Sequence, residues 1–382
     1  MTSDSSLKTT GASISALPLA ERRIDALECS VAGFVGLAPA GPLDRAVRID
    51  SFETFAAQFG DPDRPRAGPF LLGAKLAHAV RGFFRNGGRA CWVARVPGVP
   101  AGCDVAAHVA ALRLLAALEE PSTIAAPDAH GTAAGEQGAA AVGRELVAGC
   151  ERIVGRIALV DPPPMLDPAG ALQWRAHSRL DSAVAAAYHP WVEVGDPASG
   201  TTTAVPPSGH AAGLWARVDT RAGPQRAPTA EALLATDGPV SDVTAAEQHQ
   251  LNRAGLNCLR AWPGPELRAW GACTLARDPE LHYLHHQRIA GHLIASIAQG
   301  TRWAADAENV ERLHEQLRAT ITAFLHGAWR AGALQGDTPA QAFSVRCDAQ
   351  PHGGDLVVEV GLAVRRRGDF RLLRIAHRDL DG

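Results

Sequence analysis

"SVAGFVGLAPAGPLDRAVRIDSFETFAAQFG", residues 30–60, sets the reading of this chain. Its first nine residues, Ser30 to Ala38, form an apolar run that predicts a buried strand. Glycines and prolines between 36 and 42 then turn the chain. Ser51 stands where an N-cap belongs, ahead of a helix that runs to Phe59 and is closed by Gly60. Strand followed by helix is the building unit of layered α/β proteins. The spacing predicts a second helix over 69–85, stopped by Asn86-Gly87-Gly88, and then the strand "ACWVARV" (90–96).

Between 104 and 250, helical patterns alternate with short apolar runs: "STIAA" (122–126), "RIALVD" (156–161) and "PWVEV" (190–194). That alternation predicts a mostly parallel sheet layered with helices. Thr244 and Glu247 have the spacing of a capping box. After 255 the texture changes to two long helices, over 278–299 and 306–331, followed by strand-like runs at 342–348, 355–364 and 370–376. The second helix carries Val310, Leu313, Leu317, Ile321, Phe324 and Ala328 on one stripe. Glu308, Glu311, Arg312, Glu315 and Arg318 lie on its other face. The organisation expected is therefore a polar, flexible arm (1–27), an N-terminal α/β part (28–100), a middle α/β domain (101–254) and an α+β C-terminal domain (255–382).

With 382 residues, 46% of them apolar and 20% charged, the chain can build a substantial core of more than one unit. A net charge of −3 argues against a nucleic-acid binder that works by neutralising phosphates. Seven scattered cysteines without a C-x-x-C pair fit a reducing compartment. The first residues lack the pattern of a secretory leader, and no 18-residue apolar run predicts a membrane span.

Three stretches invite a chemical reading. "PPSGHAAGLWARVDTR" (206–221) brings Ser208, His210 and Asp219 together, but it lacks the G-x-S-x-G turn of a nucleophile elbow. Side chains two apart on a helix diverge, so Ser208 is expected to be a helix N-cap instead. "HYLHHQRIAGH" (282–292) places His282 and His286 four apart, yet Ile289, Leu293 and Ile297 continue that face, and a third ligand is missing. The glycines of "GFVGLAPAGP" (33–42) precede Pro42 rather than Lys-Ser/Thr, so a P-loop is excluded. No catalytic residue, metal site or cofactor follows from these patterns.

Taken in order, several of these segments resemble the tail sheath proteins of contractile phages and of bacterial contractile injection systems. The resemblance rests on 30–60 with "FFRNGGRACWVARV", on "AAAYHPWVEVGDP" with "PPSGHAAGLWARVDTRAGPQRAP", and on "LNRAGLNCLRAWPGPELRAWGACTL", "FLHGAWRAGALQGDTPAQAFSVRCD" and "GDLVVEVGLAV". It covers roughly 30–376. It departs from the family at the arm, at Cys273 and at "AADAEN" (304–309).

The resemblance implies an α/β fold with a subtilisin-like but non-catalytic middle domain, an α+β C-terminal domain and extended terminal arms. It implies a non-enzymatic subunit that polymerises helically around an inner tube and contracts to drive it through a target envelope. Its partners would be copies of itself and sheath paralogues, an inner tube protein, and baseplate and terminal cap proteins, without nucleic acid or membrane insertion. Assembly would take place in the bacterial cytoplasm, ahead of incorporation into a virion or a phage tail-like particle. Inter-subunit strand exchange would fall on Leu356, Val358, Val360, Phe370, Leu372 and Arg374, and inner-tube contact on Glu311, Glu315 and Arg318. Two alternatives are a sheath-like cap or baseplate-proximal component, and a cryptic subtilisin-like serine hydrolase.

Overall fold

A computed structural model describes residues 22–63, 68–261, 264, 266–306, 310–349 and 356–377. Strands β1 (Ala32–Leu37) and β2 (Val47–Ile49) lead into helices α1 (Phe52–Phe59) and α2 (Leu76–Arg85). The chain continues through β3 (Cys91–Val96), α3 (Val105–Ala116), β4 (Thr123–Ala125), α4 (Gly135–Glu151), β5 (Ile157–Val160), α5 (Pro168–His177) and β6 (Ala185–His189). A hairpin of β7 (Val192–Asp196) and β8 (Thr201–Val205) precedes α6 (Ser208–Ala222). Then come β9 (Glu231–Ala232), β10 (Gly238–Pro239), α7 (Ala245–Arg253), β11 (Leu256–Ala261) and β12 (Leu267–Trp270). The C-terminal part holds α8 (Leu284–Gly300), α9 (Val310–Arg330), α10 (Pro339–Ala342), β13 (Phe343–Ala349), β14 (Leu356–Leu362) and β15 (Arg371–His377).

Nine strands form one sheet in the order β2-β3-β1-β4-β5-β6-β11-β12-β9. From β3 to β11 the pairings are parallel, as the strand–helix alternation predicts. Strand alternation sends Phe34 to one face and Val35 and Leu37 to the other, and helices cover both. Phe55, Val80, Phe83, Leu214 and Trp215 from α1, α2 and α6 share the core on the face of Phe34. Leu115, Val142, Leu146 and Leu251 from α3, α4 and α7 share the core on the face of Val35 and Leu37. A third core joins α8 and α9 to a three-stranded antiparallel sheet, β13-β14-β15. On α9, Leu313, Leu317, Ile321 and Leu325 are buried, and Phe324 and Ala328 are partly buried against the same core.

Several expectations need correction. Helix α2 begins at Leu76 rather than 69, because the carboxylate that caps it sits there and nowhere earlier. "PWVEV" contributes β7, which pairs with β8 and β10 in a separate sheet, while the parallel position goes to the preceding "AAAYH" of β6. Helix α8 starts at Leu284, not 278, since Pro279–Leu281 forms a short 3-10 turn of its own. The nine-stranded sheet takes strands from 28–100, from 101–254 and from the start of 255–382 alike, because parallel partners are chosen by packing and not by sequence distance. The change of texture falls after β12.

Residues 22–27 of the expected arm are held. Arg22 lies over the Trp303 ring at 4.0 Å, Ile24 is buried in the third core, and the Leu27 N–H donates to Ser296 Oγ at 3.1 Å. Among the described residues, no helix is long and apolar enough to cross a membrane.

Candidate functional site

An open parallel sheet offers ligand positions at the carboxyl ends of its strands, where helix N-termini present unpaired N–H groups. In this chain two of those positions are filled by internal carboxylates. Asp128, just beyond β4, accepts from Leu37 N–H at 2.8 Å, Lys75 N–H at 2.6 Å and Leu76 N–H at 3.1 Å. It thereby joins the end of β1 to the start of α2. Gly36 makes room for it: a Cβ there would overlap the Asp128 carboxylate and come within 2.9 Å of Leu76 Cβ. The glycine-rich turn thus surrounds a side chain of the same protein.

Asp161, at the end of β5, does the same for α6. Ser208 N–H donates to Asp161 Oδ1 at 3.1 Å, and Ser208 Oγ donates to Oδ2 at 2.7 Å. Ser208 is therefore the first residue of the helix and not its N-cap, a place taken by Pro207. The sequence expectation fails because the capping group comes from a strand end 47 residues away. Burial pushes the Asp161 carboxyl up to about 7, against the opposing effect of the two Ser208 hydrogen bonds.

No imidazole joins this pair. His210 Nε2 lies 3.3 Å from the Ala235 carbonyl, and burial holds its pKa down at about 4. His130 Nε2 bonds the Asp161 backbone carbonyl at 2.9 Å rather than its carboxylate. The group facing the serine hydroxyl is thus a carboxylate that closes the start of α6, and not an imidazole.

The same helix explains the small residues of "SGHAAG". Gly209 and Gly213 face α2 so closely that a Cβ at Gly209 would stand 2.6 Å from Ala79 Cβ, and one at Gly213 would stand 2.8 Å from Asn86 Cβ. The stretch is a helix-packing face. At its far end Asp219 meets Arg288 of α8: Arg288 Nη1 donates to Oδ1 at 2.9 Å and Nη2 donates to Oδ2. Both side chains are buried, and the guanidinium also lies 4.8 Å from the Trp215 ring, whose Nε1–H donates to Tyr188 OH at 2.9 Å. Burial disfavours the Arg288 charge, but Asp219 more than offsets that and its pKa is raised. Sequence reasoning missed this pair. The one visible signal was an arginine on the apolar face of α8.

His282 lies in the turn before α8, so it does not share a helix with His286. Tyr283 stands between them, with ring centroids 5.4 Å from each. Among the described residues, no group of three or more His, Cys, Asp or Glu side chains is placed to hold a metal ion.

Of the candidate exchange residues, Leu356, Val358 and Val360 lie on β14, which is paired with β13 on one edge and β15 on the other. Val358 and Val360 are fully buried in the third core. Within the chain both backbone edges of β14 are paired, since three strands sharing one apolar face leave only the outer two open. Phe370 leads into β15, Leu372 is 60% exposed, and exposed Arg374 donates to Glu359 Oε2 at 3.3 Å. Among the described residues no strand pairs with the outer edge of β15. Glu315 and Arg318 are exposed on α9, while the side chain of Glu311 lies outside the described residues.

The fold is that of the sheath proteins of contractile injection systems and phage-type tails. The chain matches the sheath of an extracellular contractile injection system (PVC) in its contracted state at a TM-score of 0.73 and 22% identity, over 97% of this chain and 98% of that one. The contracted helical sheath of the anti-feeding prophage gives 0.73 at 23% identity, over 97% and 99%. The sheath tail protein of Listeria innocua gives 0.67 at 11% identity, over 94% and 97%. No family model matches the sequence, and no curated protein matches it.

Proposed function

We propose that the protein is a structural subunit of a contractile sheath, polymerising helically around an inner tube and contracting to drive it through a target envelope. The single observation that carries this reading is the end-to-end agreement with two contracted sheaths, C-terminal sheet included. The chain is read as a non-enzyme. Its large sheet is taken as a subtilisin-like α/β layer in which Asp128 and Asp161 occupy the N-termini of α2 and α6. The part through β12, which completes the large sheet, is read as the body, and the part from α8 onward as the assembly unit. The partners proposed are further copies, an inner tube protein, and baseplate and cap proteins, with assembly in the bacterial cytoplasm.

A helical polymer needs contacts that do not close into a ring. The outer edge of β15, which no strand pairs among the described residues, supplies a backbone ladder for such a contact. Strand β15 starts beside Gln287, which accepts from Arg371, and touches the turn at Arg302–Asp306 after α8. Arg22 packs on Trp303 of the same turn. A link through Leu372 and Arg374 persists while bodies rotate, each backbone hydrogen bond contributing about 1 kcal/mol net. Glu315 and Arg318 are offered as the tube-facing charges.

Negative-stain microscopy of the full-length protein, expressed with the proteins encoded beside it, tests the reading. Long tubes are expected from the parent, and a folded product without tubes is expected on deletion of 369–382. Tubes of normal length from the truncated protein exclude strand exchange through β15. A terminal or baseplate-proximal role is favoured by the likeness to a chain of the anti-feeding prophage baseplate, at a TM-score of 0.72. Under that role only short discs form.

A further inference from the structure

We infer that the cleft between α5, the end of α7 and the turn before α8 binds a phosphate-bearing anion with several negative charges, of the pyrophosphate or triphosphate kind. The cleft encloses about 620 Å³, and Arg175, Arg253, Arg277 and His282 line it beside Leu172 and Tyr283. Among the described residues that line it there is no Asp or Glu. Arg175 is 6% exposed, and all three of its nitrogens are held by backbone carbonyls. Nε donates to Ala254 at 2.9 Å, Nη1 to Leu180 at 2.9 Å and Nη2 to Leu275 at 2.7 Å. These bonds fix the guanidinium without neutralising it. Arg288, buried to the same degree, has the Asp219 carboxylate across from it, whereas no carboxylate among the described residues forms an ion pair with Arg175. Asp181 bears on Arg175 only through its field, and its Oδ1 is taken by the Arg277 N–H at 2.8 Å.

Arg253 and Arg277 are exposed, and neither guanidinium has a hydrogen-bond or ion-pair partner among the described residues. The acids that follow Arg277 are engaged elsewhere: Asp278 accepts from the Glu280 N–H at 2.9 Å, and Glu280 pairs with Arg365. Positive walls around one recess focus the field on whatever enters it. A buried guanidinium without a counter-charge is costly, and an entering anion removes that cost. A single carboxylate would leave most of this charge uncompensated. A di- or triphosphate carries enough charge, and guanidinium forks match its oxygens two at a time. Tyr283, 47% exposed on the same wall, adds a ring face beside the charges. Bound there, the anion ties α5 and α7 of the body to the turn that leads into α8.

Thermal melting and titration calorimetry of the full-length protein at matched ionic strength test this, with tripolyphosphate, ATP and citrate as probes. Tripolyphosphate is expected to raise the melting temperature by a few degrees and to bind with a Kd of about 0.1 mM or tighter. Arg253→Gln, Arg277→Gln and the double variant alter exposed side chains. They are expected to melt with the parent and to bind at least about tenfold more weakly. Arg330→Gln, an exposed position on α9 outside the cleft, is expected to bind as the parent does. No binding by the parent, or parental binding by the double variant, overturns the site. An equal loss in Arg330→Gln marks a nonspecific effect of charge and also overturns it. Citrate binding as tightly as tripolyphosphate overturns the assignment to phosphate. ATP binding more tightly than tripolyphosphate, with the difference lost in Tyr283→Ala, supports the site with its phosphates carried by a nucleotide. Equal or weaker binding of ATP supports it with free polyphosphate.

Discussion

Replacing Arg288 with methionine isolates the interaction that ties the C-terminal helices to the body. The guanidinium is 6% exposed, makes a two-pronged contact with Asp219, and rests on Trp215. Arg288→Met keeps much of the packing volume but strands Asp219, itself 7% exposed, without its cation. Breaking a buried pair from one side costs about 3–5 kcal/mol, most of it the penalty of the uncompensated charge. Removing both charges, in Asp219→Leu with Arg288→Met, lifts that penalty and is expected to cost about 1–2 kcal/mol, set by packing alone. Urea unfolding followed by circular dichroism at pH 7.5 gives the three midpoints, and the double-mutant cycle gives the coupling. A single variant within about 1 kcal/mol of the parent, or a double variant whose loss equals the sum of the two singles, would refute the assignment of this pair as the seam of the molecule.

Two further outcomes follow from the filled helix termini and the close helix pair. Asp161 has a raised pKa in the folded chain, so the stability it contributes is fully present below about pH 4 and is lost as pH rises through about 7. Relative to the parent, Asp161→Asn should therefore gain about 4 kcal/mol between pH 4 and pH 8, read as diverging urea midpoints; parallel pH profiles would show that the carboxyl is not perturbed. Gly213→Leu forces a side chain against Phe83 and Asn86 of α2 and should cost at least about 1–3 kcal/mol, whereas Gly327→Leu on α9, with open space around it, should melt with the parent.

The alternation of strand and helix, the capping box at Thr244 and Glu247, and the apolar stripe of α9 were legible in the sequence because each is fixed by neighbours a few residues away. The ordered likeness to sheath proteins was legible for a related reason: a long chain retains enough local pattern to be matched piece by piece. The structure alone decided which groups close the helix ends. Asp128 reaches α2 across 52 residues and Asp161 reaches α6 across 47, so no local window contains both partners. It also decided that Arg288 meets Asp219 from 69 residues away, and that β14, the richer of the two in β-branched residues, lies between two strands while β15 keeps an open edge among the described residues. Propensity is a property of neighbouring residues. Burial of charge and the choice of an edge strand belong to how distant elements stack, and only the packed chain sets them.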